Sequence, residues 1–275
     1  MDDDAGAALG APAQQGAGQQ FVQSLARGLD VIRSFDAEHP AMTLTDVAKR
    51  TGLSRATARR FLLTLADLGY VRGNGKQFEL TAQVLQLGYA FLSSHTLPQL
   101  IEPVLEGLSA ELGESSSASV LDGPDIVYIA RVHTRKIMRV GIAVGTRFPA
   151  HATSMGRVLL AHLSPEALDA ALTVRPLEAF TPHTLTDPAA IRAELERVRE
   201  QGWCLVDQEL ELGLRSLAVP VFAPDGTPAA AINLSMSTVP GSPHADSSPE
   251  DAAAAVLPRV QEAAARIGEA LRLRR

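Results

Sequence analysis

Residues 44–71 read LTDVAKRTGLSRATARRFLLTLADLGYV, two short helical patterns that meet at Gly52. Thr43-x-x-Asp46 just upstream has the form of a capping box, and the first pattern runs to Thr51. Gly52 suits the left-handed position past a helix end. Only Leu53 intervenes before Ser54, a residue type that caps helix N-termini well. The second pattern continues to Leu68, with Gly69 closing it. Two helices joined by about three residues including a glycine have the spacing of a helix-turn-helix.

The second of these helices has an inside and an outside. Ala58, Phe61, Leu62, Leu65 and Leu68 fall on one side at helical spacing. Ala56, Arg59 and Arg60 project from the other, with Arg55 and Thr57 flanking the first turn. Small and basic residues at the start of a second helix suit a major groove, because the small ones allow close approach while arginines reach guanine edges or phosphates. Leu63 also faces outward, which fits contact with another segment.

Working outward, Val22, Leu25, Leu29 and Ile32 recur at helical spacing over residues 21–34 and predict a first helix. After Gly69, the segment YVRGNGKQFEL holds two short strand patterns around Gly73-Asn74-Gly75, a hairpin signal. Arg72 and Lys76 flank its tip, where a wing would touch phosphates. Helix, helix, helix and basic wing in that order favour DNA binding over a plain helical hairpin.

The charge distribution agrees. The chain carries a formal net charge of −6, yet residues 21–80 hold nine Lys/Arg against six Asp/Glu. A mildly basic module thus precedes an acidic body. With 275 residues, 46% hydrophobic and 20% charged, the chain suits two soluble domains. Residues 1–20 are acidic and then Ala/Gly/Gln-rich, and are expected to form a disordered tail rather than a secretory signal. No apolar run is long enough for a bilayer crossing. Cys204 is the only cysteine, which excludes an intramolecular disulfide and a multi-cysteine zinc site and suits the cytoplasm. No metal, cofactor or membrane partner is expected.

Residues 81–95 read as a connecting helix, and a further helical stretch starts near Pro98. Strand patterns follow at ASVLDG (118–123), DIVYIARVH (125–133) and KIMRVGI (136–142). Helices are predicted over 154–163, 164–172 and 187–202, then strands at WCLV (203–206), RSLAVPVFA (215–223) and AAAINLSMS (229–237), and a last helix from about Pro249. This order predicts an α+β domain over 96–275 with a central antiparallel sheet.

Within HATSMG (151–156), A-x-S-x-G is a relaxed form of a hydrolase nucleophile elbow. An elbow serine follows directly on a buried strand, but Gly145–Pro149 breaks the chain first, and no histidine follows Asp207 until His244. A hydrolase using Ser154, or a protein that docks a partner without touching DNA, is the alternative. A binding site is more economical: Ser154 caps the next helix, whose N–H groups attract anions. Asp207, Arg215, Ser216, Asn233 and Ser235 punctuate strand ends and would orient a small carboxylate in an apolar pocket.

The chain resembles the IclR family of bacterial transcriptional regulators from about Phe21 to its last helix. The helix-turn-helix stretch, HATSMGRVLLA, DQELELGLRSLAVPV and AAINLS carry the resemblance in that order. It implies a winged helix-turn-helix at 21–80, a linker helix at 81–95, and a C-terminal GAF-like effector-binding domain at 96–275. It further implies operator DNA as partner, homodimers or dimers of dimers, no enzymatic activity and a small organic effector. In this comparison Ser154, Met155 and Gly156 belong to the loop that grips the effector. Asp207, Ser216, Asn233 and Ser235 match polar positions around it, though family members often have Cys at 216 and Ser at 233. The segment RVHTRKIMRVGIAVGTRFPAHATSMGRVLLA is closer still to regulators of protocatechuate and 4-hydroxybenzoate catabolism. An aromatic acid or a keto acid of that pathway is the implied effector. Chemistry alone adds His133 and Arg139 as carboxylate partners.

Overall fold

The computed structural model describes residues 21–87, 97–134 and 142–273. The chain divides into two compact units between Ser94 and His95. The expected tail at 1–20, most of the linker helix and nearly all of the KIMRVGI strand lie outside the described residues. Among the described residues of 81–95, Ala82–Val84 form a 3-10 turn.

The first unit holds α1 (Gln23–Arg33), α2 (Leu44–Thr51) and α3 (Arg55–Asp67), with a small sheet of β1 (Ala41–Thr43), β2 (Val71–Gly73) and β3 (Gln77–Leu80). The three strands are antiparallel in the order β1-β3-β2. β1 has no signal of its own, because three residues are too few to show alternation. Pairing with β3 creates it. The predicted capping box is present: Thr43 Oγ1 accepts from the Asp46 N–H, and Asp46 Oδ2 accepts from the Thr43 N–H at 2.9 Å. Gly52 sits at φ +66°, which an L side chain adopts only with strain. At the hairpin, Asn74 Oδ1 accepts from the N–H groups of Lys76 and Gln77 and closes the turn.

The core of this unit is Val31, Met42, Val47, Ala48, Ala58, Leu62, Leu65 and Val71. One expectation fails here. α3 ends at Asp67, so Leu68 is exposed rather than inside. The apolar stripe of α1 is divided: Ile32 packs against the core, and the rest faces outward. Phe21, Val22, Leu25 and Leu29 are exposed, and Val31 is the buried residue of the helix.

The second unit is built on a six-stranded antiparallel sheet in the order β6-β5-β4-β9-β8-β7. Its strands are β4 (Ser115–Asp122), β5 (Asp125–Val132), β6 (Arg147–Pro149), β7 (Cys204–Asp207), β8 (Leu214–Phe222) and β9 (Pro228–Ser237). β6 falls where Gly145–Pro149 suggested only a break. Helices α4 (Leu97–Leu112) and α8 (Pro249–Leu273) cover one face. Helices α5 (Ser154–Leu160) and α7 (Pro188–Gln201) contribute to the core on the other, with α6 (Pro165–Thr173) beside them. Alternation along the strands assigns the side chains. Leu217, Val219, Val221, Ile232, Leu234 and Met236 pack with α4 and α8, and Ala218 and Ala231 pack with α5 and α7. Ser216, Asn233 and Ser235 share the parity of this second set.

Thr43 serves both arms of the box that starts α2. Thr43→Ala is therefore expected to cost the N-terminal unit about 1 kcal/mol, read as a lower denaturant midpoint, while Thr43→Ser keeps the wild-type value. An unchanged midpoint for Thr43→Ala contradicts the capping role.

Candidate DNA-reading helix and effector cavity

In the N-terminal unit, Ser54 accepts from the Thr57 N–H at 3.2 Å and fixes the start of α3. Arg55, Ala56, Arg59 and Arg60 are then exposed together, and Thr57 is half-buried. Two other arginines of this unit are held in ion pairs: Arg50 with Asp36, and Arg72 with Glu79 at 2.6 Å. No ion pair with a described residue engages Arg55, Arg59 or Arg60. Three cations on the outer face of a capped second helix are what phosphates and guanine edges require. On the wing, Lys76 is exposed, whereas Arg72 has Glu79 as a competing partner. The Thr43 side chain is occupied by the capping box and is a structural group in this geometry.

In the C-terminal unit, a small cavity opens over the α5 face of the sheet. Ser216, Asn233 and Ser235 form a polar floor beside Ser154 and Thr153 from the start of α5. Tyr128, Ile142, Met155, Val206, Leu210 and Leu214 supply a mostly apolar wall. No charged side chain lines it among the described residues. Burial pushes the Tyr128 phenol up to about 12, so it stays a neutral hydroxyl.

The sequence makes Ser154 the cap of α5, but the structure gives that role to Thr153, whose Oγ1 accepts from the Gly156 N–H at 3.1 Å. Ser154 is released to share a hydrogen bond with Ser216 across 2.8 Å. Its hydroxyl thus faces another hydroxyl rather than a histidine, and it follows a 3-10 turn at Ala150–Ala152 instead of a strand. The N–H groups of Ser154 and Met155 begin a helix and have no preceding carbonyl of that helix to bond. Gly156 does not line the cavity. It lets α5 approach the chain at Ala150, where an added Cβ would lie 2.2 Å from the carbonyl oxygen.

Three more expected pocket residues lie elsewhere. Asp207 and Arg215 are cross-strand neighbours that pair with each other, Nε to Oδ1 at 2.9 Å. Arg215 is 5% exposed and also donates to the carbonyls of Ser247 and Ser248, just before α8. Its parity puts it on the opposite face from Ser216, so a strand cannot offer both to one cavity. His133 lies past the end of β5, accepting from Arg131 Nε at 3.3 Å, with burial lowering its pKa. Arg139 is outside the described residues.

Alternation also reveals what the sequence passes over. Ser117 on β4 is the register partner of Asn233, and Arg131 on β5 is the partner of Ser117 and donates to its hydroxyl at 3.0 Å. The strand of serines SSSAS (115–119) carried that signal. Leu210 comes from a loop held by Arg157, and Leu214 opens β8 just after it. This guanidinium, 2% exposed, donates through Nε to the His151 carbonyl and through both terminal nitrogens to Glu209.

A helix-turn-helix unit beside a sheet-based unit with a small-molecule cavity is also what comparison with known proteins finds. The model described as IclR helix-turn-helix domain matches residues 24–75, and that described as bacterial transcriptional regulator IclR C-terminal matches residues 89–267. The chain belongs to the IclR family. It is a DNA-binding transcriptional regulator of that type. It is 44% identical over 216 residues to the Pca regulon regulatory protein of Pseudomonas putida, covering 78% of this chain and 74% of the relative. A crystal structure of a candidate transcriptional regulator from Rhodococcus sp. RHA1 shares 49% identity, with a TM-score of 0.79 over 92% of this chain and 99% of that one. An IclR homologue from Microbacterium hydrocarbonoxydans, crystallised with 4-hydroxybenzoate, has 26% identity and a TM-score of 0.78 over 91% and 99%. No helix among the described residues is long and apolar enough to cross a membrane, and no cluster there could hold a metal ion.

Removing Glu209 leaves Arg157 charged and buried. Glu209→Ala is expected to destabilise the C-terminal unit by about 3–5 kcal/mol. The apolar pair Arg157→Met with Glu209→Leu loses much less. Denaturant unfolding measures both, and equal losses in the two proteins contradict this role for the pair.

Proposed function

We propose that this regulator responds to an aromatic acid that binds the C-terminal cavity, and that it controls genes of aromatic-acid catabolism. The cavity itself supports this reading best: an apolar slot with a polar floor of Ser154, Ser216, Asn233 and Ser235 and no charged lining among the described residues. An apolar lining of this kind suits a flat ring. Hydroxyls and the N–H groups at the start of α5 are on hand for a carboxylate. The Pca regulon relative and the 4-hydroxybenzoate complex of the Microbacterium homologue point to the same chemical class.

On this reading the parts are a DNA head at 21–80, a linker at 81–95 and an effector domain at 96–275. The protein acts in the cytoplasm without catalysis or cofactor. Ser54, Arg55, Ala56, Thr57, Arg59 and Arg60 form the major-groove surface, and Lys76 adds a phosphate contact. Two heads bind a near-palindromic operator as a homodimer, alone or as a dimer of dimers. The exposed stripe of Phe21, Val22, Leu25 and Leu29 on α1 gives each head an apolar face for a second copy. Effector binding shifts operator affinity by favouring one arrangement of the heads.

Arg59→Ala and Arg60→Ala test the head. Each is expected to weaken operator binding about 5-fold to 100-fold, without changing the unfolding of the C-terminal unit. A variant that removes a phosphate contact also flattens the salt dependence by about one unit of log–log slope. Fluorescence anisotropy over a salt series reads both quantities. Wild-type affinity in both variants overturns the assignment.

A further inference from the structure

Among the described residues, one buried side-chain oxygen or nitrogen has no hydrogen-bond partner: Oδ1 of Asn233. The residue is 3% exposed and lines the cavity. Its Nδ2 donates to Ser216 Oγ at 2.7 Å and lies 3.3 Å from Ser235 Oγ. Ser216 is tied in turn to Ser154. The amide is therefore fixed by the polar floor at its Nδ2 end, while Oδ1 is buried without a partner.

The orientation of that amide follows from its inventory of groups. Turning it over would place the carbonyl against Ser216 and Ser235 and strand two N–H donors in place of one acceptor. The orientation with a single unpaired acceptor leaves fewer bonds unmade. A buried carbonyl without a partner is costly, and such groups in native proteins mark strain, a bound water or a function. Here the surroundings argue for a ligand. The same cavity presents Met155, Val206, Leu210 and Leu214, an apolar wall suited to a ring and unable to donate to the amide.

We propose that Asn233 Oδ1 accepts a hydrogen bond from a donor on the ring of the effector, so that Asn233 selects hydroxylated aromatic acids over those without a ring donor. This rests on the aromatic-acid reading above and deepens it. A carboxylate has no proton to give at neutral pH, so it cannot satisfy this acceptor, whereas a phenolic hydroxyl can. A ligand lacking the donor leaves the carbonyl as unpaired as it is in the empty cavity and displaces any water that could serve it. Sites built to bond a ligand hydroxyl discriminate strongly for this reason.

Isothermal titration of the full chain with 4-hydroxybenzoate, 4-aminobenzoate and 4-fluorobenzoate tests the inference. The three differ at one position, and fluorine cannot donate. The wild-type protein is expected to bind the first two at least about tenfold more tightly than the third. Asn233→Leu, which fills similar space without the acceptor, is expected to bring the three within about threefold of one another. Asn233→Ala serves the same purpose if the leucine variant does not fold. Equal wild-type affinity for all three acids overturns the inference and leaves the effector reading standing. A folded variant that keeps the preference also overturns it, because another group must then read the donor. Binding of none of the acids overturns the effector reading and the inference with it.

Discussion

The C-terminal unit depends on how closely α5 can approach the chain at residue 150. Gly156 has no side chain, and a single added carbon would fall 2.2 Å from the Ala150 carbonyl oxygen. That approach carries consequences on both sides of the glycine. Before it, Thr153 caps the helix, and Ser154 and Met155 are turned to the cavity. After it, Arg157 is buried and bound to Glu209, which anchors the loop that supplies Leu210 and leads into Leu214 at the start of β8. One small residue thereby brings the floor, wall and first-turn N–H groups of the cavity into register.

The N-terminal unit solves a different problem with similar economy. Its helices are short, so their ends must be specified residue by residue. The capping box at Thr43 and Asp46, the left-handed Gly52 and the Ser54 cap place α2 and α3 with almost no loop between them. A stiff junction keeps the outer face of α3 in one orientation, and no acidic side chain among the described residues pairs with the arginines there. Arg50 and Arg72, which do, show how the same side chain is used as structural glue a few residues away.

Helix ends and strand alternation were legible in the sequence because both are local. The capping box, the glycine stop and the Asn-Gly hairpin each needed only neighbouring residues. What sequence periodicity misjudged was decided by partners. The stripe on α1 has the spacing of a core face, yet Val22, Leu25 and Leu29 are exposed, and the core takes Val31 with Ile32 beside it. Thr153 and Ser154 are equally good caps by residue type, and only the packing of α5 assigned the role. Arg215 and Ser216 both stand at a strand end in the sequence, but neighbours along a strand face opposite sides of the sheet. Tyr128 escapes a sequence reading because a side chain on β5 joins the cavity only through the register of β4 and β9.

Regulation requires that the two units respond to each other, and this is the central claim. Coupling is a free energy: an effector that binds both states of the protein equally shifts nothing. The direct measurement is operator affinity at fixed salt, with and without 4-hydroxybenzoate at a concentration shown by calorimetry to saturate the cavity. The account predicts that the acid changes operator affinity at least about fivefold. Identical affinity with the cavity full would contradict it.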